Sequence, residues 1–323
     1  MQQRRVGRSG LTVSSLGLGT MTWGRDTDEH EAAAQLAAFV RAGGTLIDTA
    51  ASYGDGDAEE LIGSLIDETV DREDLVLVSK AGVRTRRTGG SSVVDASRGT
   101  LLDTLDASLV RLNTDHLDLW LVQHPDPTTP LEETVSALEL AVSSGRTRYV
   151  GLSNYPAWTT ARAATLLEVS GTGLAAVEVE YSLLQRGIER ELLPAAHGLG
   201  TGVLAWSALG RGVLTGKYRR SVPADARAAS PHLRGFVEPY LNDRGHGVVE
   251  AVATAADGLG RSPLEVALAW VRDAPGVSSA VLGARTAAQL RGALAADDLV
   301  LPAPIRRVLD EVTAVDVGYP ERF

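Results

Sequence analysis

Hydrophobic positions along the chain fall into two alternating patterns. Short apolar, β-rich runs end at Asp48 (TLID), Lys80 (LVLVSK), Gln123 (LDLWLVQ), Ser153 (YVGLS), Tyr181 (AAVEVEY), Trp206 (GVLAW) and Gly283 (SSAVLG), and LGLGT at residues 16–20 makes an eighth. Between them lie stretches of helical periodicity at residues 28–41, 58–66, 97–112, 131–144, 158–169, 188–198, 263–271 and 287–295. Strict β-then-α alternation forces a parallel sheet, and eight units let it close. The pattern therefore predicts an α/β fold, a (β/α)8 TIM barrel spanning residues 1–323 as a single domain. Residues 4–13, with GRSG at the centre, read as a hairpin ahead of the first barrel strand. Residues 209–242 hold GRG, several prolines and arginines, and read as a long lid loop after the seventh strand.

Composition narrows the class of partner. A net charge of −10 and the lack of a lysine-rich tract argue against a nucleic-acid groove. No apolar run approaches the roughly 20 residues of a membrane span, and MQQRRVGRSG has no signal-peptide core, so a cytoplasmic protein with no membrane partner is expected. With no cysteine there is neither a disulfide framework nor a thiolate metal site, and His30, His116, His197, His232 and His246 have no ligand-like spacing, so no metal is expected. LGLGT lacks the third glycine of a dinucleotide fingerprint, and LTGKY places tyrosine where a phosphate loop needs serine or threonine.

Candidate chemistry lies at the strand ends. The chain has two lysines, Lys80 and Lys217, against 29 arginines. A sequence that has otherwise replaced lysine with arginine should retain it where a compact, environment-sensitive ammonium is needed. Asp48 closes the second strand, Tyr53 follows in its loop, Lys80 closes the third, and Gln123 and His124 close the fourth. In a closed barrel these consecutive carboxyl ends share one face, so a carboxylate, a phenol and an ammonium converge there.

The chain resembles the aldo-keto reductases over nearly its whole length. The resemblance rests on VSSLGLGTMTWG (13–24), IDTAASYGDGDAEELIG (47–63), VSKAG (78–82), DLWLVQHPDP (118–127), GLSNY (151–155), VEYSLLQR (179–186), SALGRGVLTGKY (207–218) and VLGARTAAQL (281–290). It is closest to the larger bacterial members, a group that includes relatives of potassium-channel β-subunits and of deoxysugar ketoreductases. The resemblance implies NADPH-dependent reduction of a small-molecule carbonyl, with Tyr53 giving the proton. It also implies that Lys80, held by Asp48, brings Tyr53 from about 10 closer to working pH. By the same carry-over, Ser153 and Asn154 hold the nicotinamide carboxamide and Trp206 stacks on its ring. Ser207, Leu209, Gly212 and Lys217 wrap the pyrophosphate, Arg285 and Gln289 meet the adenosine phosphate, and Thr20, Met21 and Gly283 complete the cofactor wall. A guanidinium forks onto a phosphate, which favours NADPH over NADH. Trp23 and His124 line the substrate side.

Three positions depart from the family pattern. The usual histidine five residues after the fourth-strand aspartate is Gln123, with His124 one step later. Because successive strand residues face opposite sides, Gln123 rather than His124 is expected to take its place unless a bulge intervenes. The usual carboxamide-binding glutamine is Glu178, and the adenine-facing asparagine is Ala293. The latter should weaken adenine binding by about 0.5–1.5 kcal/mol. Reduction of an activated C=C or C=N bond, and a cofactor-binding regulatory protein with weak turnover, are the alternative readings.

Overall fold

The computed structural model describes residues 1–84, 92–219, 223, 229, 233–316 and 318–319. The chain opens with an antiparallel pair, β1 (Gln3–Arg5) and β2 (Thr12–Ser14). Three barrel strands follow, β3 (Leu16–Gly19), β4 (Leu46–Asp48) and β5 (Val76–Ala81). A second antiparallel pair, β6 (Val83–Arg84) and β7 (Val93–Val94), interrupts the series. The barrel is completed by β8 (Leu117–Val122), β9 (Thr147–Ser153), β10 (Ala176–Glu180), β11 (Gly202–Trp206) and β12 (Val277–Gly283). These eight strands are parallel and closed in the order β3-β4-β5-β8-β9-β10-β11-β12, as the alternation predicts.

Helices α1 (Glu29–Arg41), α2 (Asp57–Leu65), α3 (Arg98–Arg111), α4 (Leu131–Ser143), α5 (Ala157–Val169) and α6 (Leu192–Leu199) follow successive strands. Beyond β11 come the short α7 (Arg234–Val237), then α8 (Asp243–Leu259) and α9 (Pro263–Arg272), and beyond β12 come α10 (Ala287–Leu294) and α11 (Ala303–Val312). Local chemistry sets several boundaries. Asp28 accepts from the Glu31 amide at the start of α1, and Ser262 and Glu265 form a reciprocal capping box at α9, with Pro263 where the missing N–H has no helical partner.

The pattern reading misplaces three helices. It begins one at residue 188, whereas α6 starts at Leu192, after a 3-10 turn at Gly187–Glu189. Pro194 explains the delay, since a helix begun at 188 would need the amide hydrogen that proline lacks, while α6 holds it in the first turn. It also omits α8 and α11. In α8, Gly245, Gly247 and Gly258 dilute the apolar stripe, and the ends are fixed by Asn242 accepting from the Gly245 amide and by Gly260 at φ 64°. The described parts of the 209–242 stretch form 3-10 turns at Gly210–Thr215 and Glu238–Tyr240 around α7. Residues 220–222, 224–228 and 230–232, including His232, lie outside the described residues.

Strand alternation divides the core in two. Leu18, Ile47, Leu77, Trp120, Val122, Val150, Leu152, Val177 and Ala205 point outward and pack in the cluster formed with the helices. Leu46, Val78, Leu119, Leu121, Ala176, Leu204 and Val281 point inward, where Val6, Leu11 and Val13 of the hairpin plug the lower end. The barrel interior thus has an apolar lower layer, and the next inward residue on each strand forms an upper layer. Gly151 is inward on β9, where a Cβ would lie 2.4 Å from the Ala176 carbonyl oxygen and 2.6 Å from Leu121 Cδ2. Among the described residues, no helix is long and apolar enough to cross a membrane.

Two glycine substitutions test this packing. Gly151→Ala overfills the barrel and should lose about 1–3 kcal/mol, read as a lower urea midpoint with an unchanged slope. Gly247→Ala, on an exposed face of α8 with nothing within 4 Å of the added carbon, should instead gain roughly 0.5–1 kcal/mol.

Candidate active site

One step above the apolar layer, the inward positions turn polar. Asp48 follows Leu46 by two residues on β4, Lys80 follows Val78 on β5, Gln123 follows Leu121 beyond β8, and Ser153 follows Gly151 on β9. Glu178 follows Ala176 on β10, Trp206 follows Leu204 on β11, and Gly283 follows Val281 on β12. All of these line one cavity of about 510 Å³ at the carboxyl ends of the strands. Tyr53 joins them from the loop after β4, where the amides of Thr49 and Ala51 donate to Val78 and Lys80 carbonyls and pin the loop along β5. The turn Tyr53–Gly56 then reverses the chain through Gly54 (φ 59°) and Asp55 (φ 57°).

At the cavity floor, the ammonium of Lys80, 2% exposed, donates to Asp48 Oδ1 and to the Thr49 carbonyl oxygen at 3.0 Å. Across the barrel, Glu178 Oε1 lies 3.3 Å from the same Nζ, and Glu178 is also 2% exposed. Burial alone lowers an ammonium's proton affinity, yet Asp48, Glu178 and Tyr53 more than offset it and hold Lys80 above its ordinary value. Burial and the neighbouring Asp48 charge push Glu178 up to about 8, with Lys80 acting against them. The Tyr53 ring centre lies 5.3 Å from Nζ. Burial raises Tyr53 above its ordinary value; Lys80 pulls it down, while Asp48 and Glu178 push it back up. The Lys80 contribution thus has the expected direction, and burial outweighs it. Glu178 adds to the effect of Asp48 from a strand across the barrel.

Gln123 and His124 both line the cavity, because the strand ends at Val122 and its two-sided alternation ends with it. The Gln123 carboxamide accepts from Ser52 Oγ at 2.9 Å through Oε1, which turns its Nε2 into the available donor. His124 is half-buried, and burial holds its imidazole below 6.5. Asn154, at φ 64°, donates through Nδ2 to the Gln123 carbonyl and to Ser153 Oγ, both at 3.0 Å, and accepts from Trp206 Nε1 at 3.1 Å. Its amide thus ties β8, β9 and β11 together. Ser207 (φ 54°) and Arg211 (φ 58°) also have left-handed backbone at this rim, so unfavourable conformations concentrate where side chains must be aimed.

Arg211 and Phe236 line the cavity too, and the sequence reading did not single them out. Arg211 forks onto both oxygens of Glu180 at 2.8 and 2.6 Å, donates to the Phe236 carbonyl, and lies 4.1 Å from the Phe236 ring centre. It fastens the 233–240 segment to β10. The GRG signal was visible, but its acidic partner is 31 residues away in sequence. Met21, Ser207, Leu209, Gly212, Lys217, Arg285 and Gln289 line the remaining wall, together with Ala293. Two expected residues do not line the cavity. Trp23 is fully buried and donates through its indole to Gln35 of α1, and Thr20 is fully buried with its amide and hydroxyl both donating to the Asp48 carbonyl. Trp23 therefore packs the core, and Thr20 fixes the backbone of Asp48.

The profile of the Aldo/keto reductase family matches residues 15–313. An uncharacterized oxidoreductase, YrpG, of Bacillus subtilis (strain 168) is 35% identical over 97% of this chain and 96% of its own length. A probable voltage-gated potassium channel subunit beta of Oryza sativa subsp. japonica is 35% identical over 100% of this chain and 98% of its own. The aldo-keto reductase YhdN of Bacillus subtilis (strain 168) is 31% identical over 90% and 87% respectively.

The two carboxylates sharing one ammonium set a pH dependence of stability. Glu178 at about 8 in the folded chain lies above its unfolded value, so its stabilising proton is fully held below the unfolded value and is lost as pH rises through the folded one. Relative to Glu178→Gln, the wild-type urea midpoint should therefore fall progressively between about pH 5 and pH 8.

Proposed function

The chain belongs to the aldo/keto reductase family, and from that premise we propose that residues 1–323 act as one enzyme domain reducing a carbonyl, of an aldehyde, ketone or keto-sugar, to an alcohol with NADPH. Oxidoreduction with a nicotinamide cofactor accompanies the membership. The observation that carries the finer reading is the buried Lys80 ammonium, bonded to Asp48 and 5.3 Å from the Tyr53 ring centre on the floor of the cavity.

The cavity suits such a cofactor. Glu178, in the cavity wall, has its Oε2 buried without a hydrogen-bond donor among the described residues. Trp206 supplies an aromatic face and Ser153 a hydroxyl beside it, while Lys217 and Arg285 bring cations to the wall shared with Ser207, Leu209 and Gly212. Arg285 directly precedes Thr286, the N-cap of α10, where a helix end adds to its attraction for a phosphate. Ala293 leaves the adenine side without an amide.

When bound, the nicotinamide supplies the hydride. Tyr53 donates its proton to the carbonyl oxygen as negative charge develops there. An alkoxide is far more basic than a phenolate, so the raised affinity of Tyr53 for its proton does not oppose the transfer. Lys80 stabilises the phenolate left behind, and Asp48 keeps the ammonium in place. Gln123 Nε2 donates to the same oxygen, with Ser52 fixing the amide's orientation. Unlike a histidine, this donor adds no titration near neutrality. That exchange keeps reduction of a C=C or C=N bond as the alternative reaction. A role as a binding subunit, which the rice relative's name suggests for that protein, would not require the assembled Asp48, Tyr53 and Lys80.

Tyr53→Phe should retain NADPH binding and lower turnover on a panel of aldehydes, ketones, keto-sugars and enones by about 100-fold or more. Unchanged turnover removes Tyr53 as the acid. Arg285→Ala should weaken NADPH by about 1.5–3 kcal/mol and leave NADH nearly untouched in fluorescence titrations. Equal losses for both cofactors would mean that Arg285 only supports its loop.

A further inference from the structure

Glu178 is a buried carboxylate that the proton transfer does not use. Its Oε1 shares the Lys80 ammonium with Asp48, and its Oε2 is buried within the cavity wall without a hydrogen-bond partner among the described residues. Two carboxylates and one ammonium meet at the floor, so the cluster carries an excess negative charge whenever both acids are ionised. At that depth the excess is relieved either by a proton or by a cation entering the cavity. We propose that Glu178 sets the site's preference between the two oxidation states of the cofactor, favouring the neutral reduced nicotinamide when protonated and the cationic oxidised ring when ionised.

The inference rests on the reading of this cavity as a nicotinamide site, and it follows from charge. NADPH and NADP+ carry the same phosphates and the same adenosine, so the ratio of their affinities isolates the charge on the ring. Protonated Glu178 leaves the floor balanced by the Asp48–Lys80 pair, and a neutral ring enters without an ionic penalty. Ionised Glu178 supplies the counter-charge for a cationic ring. By linkage, binding of the oxidised form expels the Glu178 proton more readily than binding of the reduced form.

The surrounding groups leave this titration to Glu178. Lys80 on β5 and Tyr53 after β4 are both held above their ordinary values, so both keep their protons through the neutral and mildly alkaline range, and Asp48 on β4 is bonded to Lys80. His124, after β8, is held below 6.5 and is already neutral there. The strands flanking β10 present Ser153 and Leu204 opposite Glu178, neither of them titratable. On β10 itself, Glu180 is engaged by both Arg211 nitrogens. Glu178, pushed up to about 8, is thus the group that changes charge in the working range.

The test is direct binding without turnover. Dissociation constants for NADP+ and NADPH are measured on the full chain by fluorescence quenching from about pH 6.5 to about pH 9.5. In wild type, the ratio Kd(NADP+)/Kd(NADPH) should fall about tenfold as pH rises, equivalent to a one-unit difference in the Glu178 proton affinity between the two complexes. In Glu178→Gln, which keeps the shape and loses the titration, both cofactors should bind with a ratio that stays flat. Wild-type calorimetry near pH 8 in buffers of different ionisation enthalpy should show more proton release with NADP+ than with NADPH. If both cofactors bind and the wild-type ratio is flat, or if Glu178→Gln keeps the slope, the inference is overturned while the proposed function stands. If neither cofactor binds at any pH, both fall together.

Discussion

The site depends on one buried ammonium held by two carboxylates. Lys80 sits at the floor of the barrel with Asp48 beside it and Glu178 across from it, all nearly inaccessible to solvent. Taking these ionisable groups out of water is expensive, and an apolar trio of similar volume would serve stability as well or better. What the arrangement provides is placement. A compact ammonium is fixed within reach of a phenol, at a depth where screening is weak and each neighbouring charge counts. An arginine's planar fork cannot take that position between an acid and a ring, which accounts for a lysine persisting in a chain otherwise built with arginine.

The barrel positions these groups through the two-residue repeat of its strands. Inward residues below the midline are Leu46, Val78, Leu121, Ala176 and Leu204, and they seal the floor against water from the hairpin side. Two residues further on, the same faces carry Asp48, Lys80, Gln123, Glu178 and Trp206. Around the rim, Asn154, Ser207 and Arg211 hold left-handed backbone, and the bonds of Asn154 with Gln123 and Trp206 and of Arg211 with Glu180 keep the upper layer in register. The lower layer supplies rigidity, and the upper layer takes its geometry from it.

Much of this was legible in the sequence because it is periodic or sits at a strand end. The eight strands, the hairpin, and the shared face of Asp48, Lys80 and Gln123 follow from alternation alone. Other features were hidden for identifiable reasons. Helix α8 is diluted by glycine, and α6 starts late because of Pro194. Trp23 and Thr20 lie in a segment matching the family, yet their side chains turn to Gln35 and to the Asp48 backbone, a direction no motif specifies. For Tyr53, the lowering by Lys80 was anticipated, whereas the larger effect of burial was not. That burial depends on how the closed barrel covers the ring, which no motif specifies. Arg211 was missed for a similar reason, since its partners Glu180 and Phe236 meet it only in the folded chain.

The central claim is that this buried cluster keeps Tyr53 protonated while placing an ammonium beside it. It is tested most directly by carbon-13 NMR of chain labelled at the tyrosine ζ carbons, with the Tyr53 resonance assigned by its loss in Tyr53→Phe. The account predicts that this resonance stays at the phenol position through about pH 11, beyond the roughly pH 10 midpoint of an ordinary tyrosine. A Tyr53 resonance that moves to the phenolate position below about pH 10 would contradict it, because Lys80 would then outweigh burial and the two carboxylates together.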